Sequence, residues 1–191
     1  TMDTMWPPKE ALAKAQYEAY QREQAAWLKS LKATDEWKTA TFRVVMFHVP
    51  LFPSHTDFVA DFFGAELLDE TPEGKVHAVL AGHEHCYARL NPNTQESRVN
   101  NAYGDFPKTG RNAYPPKCFC RGKIPARFPF VSVVCNAGEA MTVDVSPAKL
   151  VFRSHRFSRR EGGYYDAFEI AADGKVTDLV ETTAYPLVKG K

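Results

Sequence analysis

At 191 residues, 44% of them hydrophobic and 25% charged, the chain suffices for one domain with a real core and falls short of two. A formal net charge of +1 provides no global field that would favour nucleic acid or an anionic membrane. No apolar run approaches the length of a bilayer span, and Thr1–Lys14 carries prolines and charges without the apolar segment of a secretory signal.

In chain order, Pro7-Pro8 at a first turn followed by Lys9–Lys32 predicts a helix. Tyr17, Tyr20, Trp27, Leu28 and Leu31 recur at helical spacing and predict its inward face, while Glu10/Lys14 and Glu18/Arg22 make favourable i,i+4 pairs outside. Phe42–Phe47 reads as a strand running into His48-Val49-Pro50, where proline ends any ladder. Thr56 or Asp57 caps a second helix that turns Phe58, Val59, Phe62, Phe63 and Leu67 inward. Glu73-Gly74 then turns the chain into a strand over Val76–Ala81. Helix, strand, helix, strand argues for a mainly parallel sheet covered by helices.

Asn91–Pro129 breaks that rhythm. It is rich in proline, asparagine and glycine and poor in apolar residues, which predicts one long loop insertion of functional or surface type. Phe130–Cys135 resumes as a strand and stops at Asn136-Ala137-Gly138. Met141–Val145, Leu150–Ser154, Tyr165–Ile170 and Val176–Val180 follow as short strands, with a hairpin turn at Ala172-Asp173-Gly174. The fold expected is α/β: a single domain over 1–191, parallel near residues 42–81 and antiparallel from 130 onward. Cys86, Cys118, Cys120 and Cys135 lack the paired spacing of a structural zinc site. Cys118 and Cys120 can join a disulfide in an oxidising compartment, and Cys135 reads as a small buried hydrophobe.

The most informative stretch is Val76–His85, an apolar strand ending in Gly82-His83-Glu84-His85. Histidines two apart in extended backbone point to opposite faces, so they suit two neighbouring ions, one each, better than chelation of a single ion. His48 follows its own apolar strand in the same way. Two strand ends delivering imidazole to one edge fit the rule that ligands bind at the carboxyl ends of strands in α/β sheets. A lone strand-end histidine is usually a hydrogen-bonded surface residue; the pair of motifs favours metal.

On the residues Val45-Met46-Phe47-His48-Val49-Pro50-Leu51-Phe52 and Leu80-Ala81-Gly82-His83-Glu84-His85-Cys86-Tyr87-Ala88-Arg89, the chain resembles the calcineurin-like metallophosphoesterases, within them the purple acid phosphatase branch. Ala25-Ala26-Trp27-Leu28-Lys29-Ser30-Leu31 looks like the helix preceding the first motif, and Asn136-Ala137-Gly138-Glu139-Ala140 lies where that family has a glycine-rich turn. The likeness runs from about residue 20 to 181. It implies the C-terminal half of a four-layer α/β/β/α sandwich and a binuclear centre of divalent or mixed-valence ions (Fe, Mn or Zn). His48 and His83 would bind one ion and His85 the other. It also implies hydrolysis of a phosphorylated small molecule or phosphoprotein by an activated hydroxide, in a secreted or periplasmic setting.

The family's other ligands are an aspartate motif, a bridging aspartate and an asparagine in a GNH-type motif, all from an N-terminal half. Gly104-Asp105-Phe106 holds the sequence's Gly-Asp dipeptide, in the late loop, and no Gly-Asn-His occurs. Two dications roughly 3.5–4 Å apart need a bridging anion, which three neutral imidazoles do not supply. The chain alone is therefore expected to bind at most one divalent ion weakly and to be inactive, its partner being that N-terminal half. A phosphodiesterase or nucleotide hydrolase of the same superfamily is the nearest rival. A non-catalytic fragment whose 91–129 loop binds a partner is the alternative of another class.

His55, seven residues beyond His48, is the candidate acid for the leaving group. Tyr87 and Arg89 brace the metal loop or simply pack, and Glu84 faces solvent or supports a ligand from behind. Arg153, Arg156, Arg159 and Arg160 with His155 read as a solvated hairpin face, and His77 as a satisfied structural histidine. Half a sandwich also leaves a cut sheet edge, which a further segment, a second chain or self-pairing would cover.

Overall fold

The computed structural model describes residues 11–48, 50, 63, 66–82, 86–92, 96–101, 128–135, 139–156, 164–179 and 188–189. Helix α1 spans Ala11–Lys32, with Lys14–Glu18 and Glu18–Arg22 pairs at 3.8 and 3.7 Å on its wet side. Its inward stripe is Tyr17, Gln21, Ala25 and Leu28, spaced by four, four and three residues. Tyr20 and Trp27, expected inward, are 47% and 51% exposed. Each sits one position before a buried residue, 100° round the helix from it, and so falls off the stripe. Lys32 closes the helix against the next layer: its ammonium donates to the Glu66 carbonyl (2.6 Å) and pairs with Asp69 at 3.0 Å.

A short helix α2, Asp35–Thr39, was not expected, although its signal is present: Thr34 caps it by accepting from the Trp37 N–H at 3.2 Å, and Asp35 and Glu36 fill the first turn. Arg43 then anchors the chain. Its buried guanidinium donates to the carbonyls of Trp37, Lys38, Pro72 and Lys75.

Among the described residues ten strands follow: β1 Val44–Met46, β2 Ala78–Ala81, β3 Cys86–Leu90, β4 Glu96–Asn101, β5 Val131–Val134, β6 Glu139–Val145, β7 Lys149–Arg156, β8 Tyr164–Ala171, β9 Val176–Asp178 and β10 Val188–Lys189. They form two sheets. The first is mixed, ordered β1-β2-β5-β3-β4-β10, with β1, β2 and β5 parallel and β3, β4 and β10 antiparallel; the second is an antiparallel meander, β6-β7-β8-β9. Phe63, Glu66 and Leu67 are helical, and Phe63 and Leu67 are fully buried against the first sheet together with Leu28, Val45, Phe47, Val79 and Ala81. The opposite face of that sheet packs on the second sheet through Ala78, Val131, Val133, Leu150, Phe152, Phe168 and Ile170. The described residues thus make three layers, helix, sheet and sheet.

The outer face of the second sheet is polar, with Lys149–Glu169 at 2.5 Å, Arg153 paired to Asp144, and Thr142 bonded to His155. The basic run is therefore a solvated face at Arg153 and His155, as expected. No helix among the described residues is long and apolar enough to cross a membrane.

Two sequence expectations are corrected. The strand at 130–135 joins the parallel portion, because β5 pairs with β2 in register Ala78↔Val131 to Ala81↔Val134. The antiparallel pairing starts earlier, at β3. Within 91–129, expected as loop throughout, Glu96–Asn101 is a strand. Val99 is its sole apolar residue; its partners are backbone groups of β3, a contribution that composition does not report.

Candidate functional site

The three parallel strands finish abreast. The Phe47 N–H donates to the Leu80 carbonyl at 2.9 Å, the Gly82 N–H to the His48 carbonyl at 3.0 Å, and the Cys135 N–H to the Ala81 carbonyl at 2.7 Å. His48, Gly82 and Cys135 therefore share the carboxyl edge of β1, β2 and β5. That is the edge where an α/β sheet presents its ligand-binding loops. His48 is exposed there, outside the core. A Cβ placed on Gly82 would lie 3.9 Å from the His48 oxygen and 4.0 Å from the Cys135 oxygen, a measure of how closely the three ends approach.

His83 and His85, the other two expected ligands, lie outside the described residues, as do Glu84 and the expected acid His55. What is described is the pair of anchors around 83–85. Upstream, Gly82 is bonded to His48. Downstream, β3 is fixed by a buried polar cluster. The Tyr87 hydroxyl donates to Asp166 at 2.5 Å. Arg89 donates through Nε to the same carboxylate at 2.8 Å, to Asp178 at 2.6 Å and to Asn91 at 2.8 Å, with its guanidinium 4.6 Å from the Phe168 ring centre. Tyr87, Arg89 and Asp166 are each about 1% exposed.

Burial, then the Asp166 carboxylate, pushes the Tyr87 hydroxyl well above its ordinary pKa, so it stays a donor. Burial works against the Arg89 charge, but Asp166 first, then Tyr87 and Asp178, outweigh it and the pKa is raised. Of the two roles open to Tyr87 and Arg89, the described contacts are those of packing: they clamp the two sheets together. Sequence reasoning missed Asp166 and Asp178. Asp166 had a signal, since it occupies an inward strand position in step with Phe168 and Ile170, where a carboxylate requires a buried partner.

A cleft among the described residues lies at the other end of the strands. It holds about 390 Å³ between Lys38, Arg43, Lys75 and His77. Its histidine is already engaged, as expected for a structural residue: His77 Nδ1 accepts from the Arg43 N–H at 3.2 Å, Nε2 faces the Ala172 carbonyl at 3.4 Å, and the ring stands edge-on to Phe42. Among the described residues, no three His, Cys, Asp or Glu side chains are grouped to hold an ion. His48 is thus one donor of suitable chemistry at a suitable edge, and its chelating companions would have to come from 83–85 and beyond.

No family model matches the chain, and no curated protein matches it.

Proposed function

We propose that this chain supplies the histidine side of a binuclear metal centre in a phosphoester hydrolase, acting on a phosphorylated small molecule or phosphoprotein. The observation that carries the reading is the Gly82–His48 hydrogen bond, which sets the roots of the His48 and His83–His85 loops side by side at the carboxyl edge of parallel strands. In this reading His48 and His83 hold one ion and His85 the other, the ions being Fe, Mn or Zn. The three imidazoles suit part of such a centre and leave its bridging anion and carboxylates to an acidic N-terminal half that completes a four-layer sandwich. When bound, the ions supply Lewis acidity and nucleophile activation. The chain's own residues bind and orient: exposed His48 keeps its ring clear of the core, and His55 donates a proton to the departing oxygen as the P–O bond breaks.

The test has two arms. Histidine ring resonances are followed by NMR while Zn²⁺ or Mn²⁺ is added to the chain; those of His48, His83 and His85 should respond, with His77 unmoved. Response of none of the three sinks the reading. Hydrolysis of p-nitrophenyl phosphate is then assayed with the acidic half supplied, and His83→Ala should abolish it.

A further inference from the structure

The cleft at the amino end of β1 and β2 lies opposite the histidine edge, and every residue lining it is described. Its volume of about 390 Å³ is that of about a dozen water molecules and sits low in the range for small-ligand sites, roughly 300–1,000 Å³. Three segments meet there: the end of α2, the 70–75 turn and the hairpin between β8 and β9. Arg43 joins two of them. Its buried guanidinium donates to the carbonyls of Lys38 at 2.9 Å and Lys75 at 3.3 Å, so both lysines are rooted on one cation. The Lys75 ammonium crosses to the third segment and donates to the Asp173 carbonyl at 3.1 Å. Gly174, at φ 88°, leaves room for it, since a Cβ there would fall 2.0 Å from the ammonium. Lys38 stands exposed on the rim.

The lining thus gathers three cations against two carboxylates, Glu70 and Asp173. One of those carboxylates is turned back on its own hairpin, where Asp173 Oδ1 accepts from the Lys175 N–H at 2.8 Å. The nearby Asp69 is held by Thr71 and Lys32. His77, in the wall of the cleft, senses the resulting field: the charges acting on its ring are those of Lys75 and Arg43, and both oppose its protonation. Lysine ammoniums bind oxyanions as point charges, without the planar fork of arginine. Ala40, Pro72 and Ala172 add small apolar surface beside them, which a bare inorganic ion leaves unfilled.

We propose that this cleft binds a small organic oxyanion, a phosphate monoester or a dicarboxylate, whose charged oxygens meet Lys38 and Lys75 and whose carbon skeleton lies against Ala40, Pro72 and Ala172. Such a ligand contacts all three segments at once and so ties the hairpin of the second sheet to α2 and the 70–75 turn. The site stands independently of any metal.

The test follows the His77 ring by NMR in the full chain, with a chelator present, as glycerol 2-phosphate, succinate, inorganic phosphate or glycerol is added. Glycerol 2-phosphate, succinate or both should shift the His77 signals saturably and raise its pKa, because an adjacent anion favours the imidazolium. Which of the two does so identifies the oxyanion. Inorganic phosphate should bind severalfold more weakly, and glycerol should leave the ring unmoved. Lys38→Gln should weaken binding by about tenfold, the loss of one charge-assisted hydrogen bond, and Lys38→Arg should restore it. Lys38 is exposed, so neither change should alter the melting temperature, and Lys75→Gln provides a second variant. Four results overturn the proposal: no saturable shift with either organic anion, inorganic phosphate or glycerol binding as tightly, parental affinity in both glutamine variants, or a His77 pKa that falls on binding. The chelator keeps metal out of every readout, so failure here and failure of the histidine site are told apart.

Discussion

The amide of Gly82 donates to the carbonyl of His48 across 3.0 Å, joining the root of one histidine loop to the other. In the proposed centre, chelation by His48 and His83 would cost less entropy because this bond already positions the backbones of His48 and Gly82. Isothermal titration of the chain with Zn²⁺ should give at most one weakly bound ion, and His48→Ala should weaken it further. Two tightly held ions per chain would contradict the carboxylate deficit on which that expectation rests.

Between the sheets, Asp166 receives both Tyr87 and Arg89, and the three side chains are almost wholly buried. Removing the carboxylate strands a buried guanidinium, which typically costs about 3–5 kcal/mol. Asp166→Ala should therefore lower the unfolding free energy by that order in urea titration. Tyr87→Phe, which deletes one hydroxyl, should cost about 1 kcal/mol. Asp178→Ala should also cost little, because that side chain is 30% exposed and its pairing with Arg89 is partly screened. An Asp166→Ala variant as stable as the parent would show that the cluster is dispensable.

This cluster also explains what the sequence concealed. The strands at 44–46, 78–81, 131–134 and 139–178 were legible because their inward residues are apolar and recur at period two, as in Leu150, Phe152 and Phe168, Ile170. β3 was not, because two of its inward residues are Tyr87 and Arg89. Their burial makes sense only beside Asp166, 79 and 77 residues further on. β4 was hidden for a related reason: its pairing is made by backbone, which every residue carries. At the candidate site, the meeting of two strand ends was legible from two apolar runs each followed by histidine. Which end of the strands carries the open cleft was not, since that depends on how Arg43 gathers the carbonyls of α2 and the 72–75 turn.

His77 makes stability depend on pH in a direction that can be stated. Its pKa is lowered from 6.5 chiefly by burial, with the charges of Lys75 and Arg43 adding and the Ala172 carbonyl opposing. A lowered folded-state value means the unfolded chain takes up the proton first. The contribution is thus complete above pH 6.5 and is lost as the pH falls from there through the folded value. Urea midpoints of the parent should decline over that acid window more steeply than those of His77→Phe. Parallel declines would remove His77 as the cause.

Two glycines should respond in opposite ways to the same added methyl group. Gly82 sits in the motif most suggestive of function, yet its Cβ would meet only carbonyl oxygens at 3.9 and 4.0 Å, ordinary contact distances. Gly82→Ala should therefore leave the unfolding free energy within about 0.5 kcal/mol, the range of a substitution that disturbs nothing. Gly74 looks like a mere turn residue, but a Cβ there would fall 1.8 Å from Asp69 Oδ2. That carboxylate is held by the Thr71 N–H at 2.9 Å, the Thr71 hydroxyl at 2.7 Å and the Lys32 ammonium at 3.0 Å. Displacing it loosens the tie between α1 and the turn before β2, so Gly74→Ala should cost about 1.5–3 kcal/mol, the range for hydrogen bonds to a charged group. Equal stability of the two variants would mean that Asp69 does not hold this turn against α1.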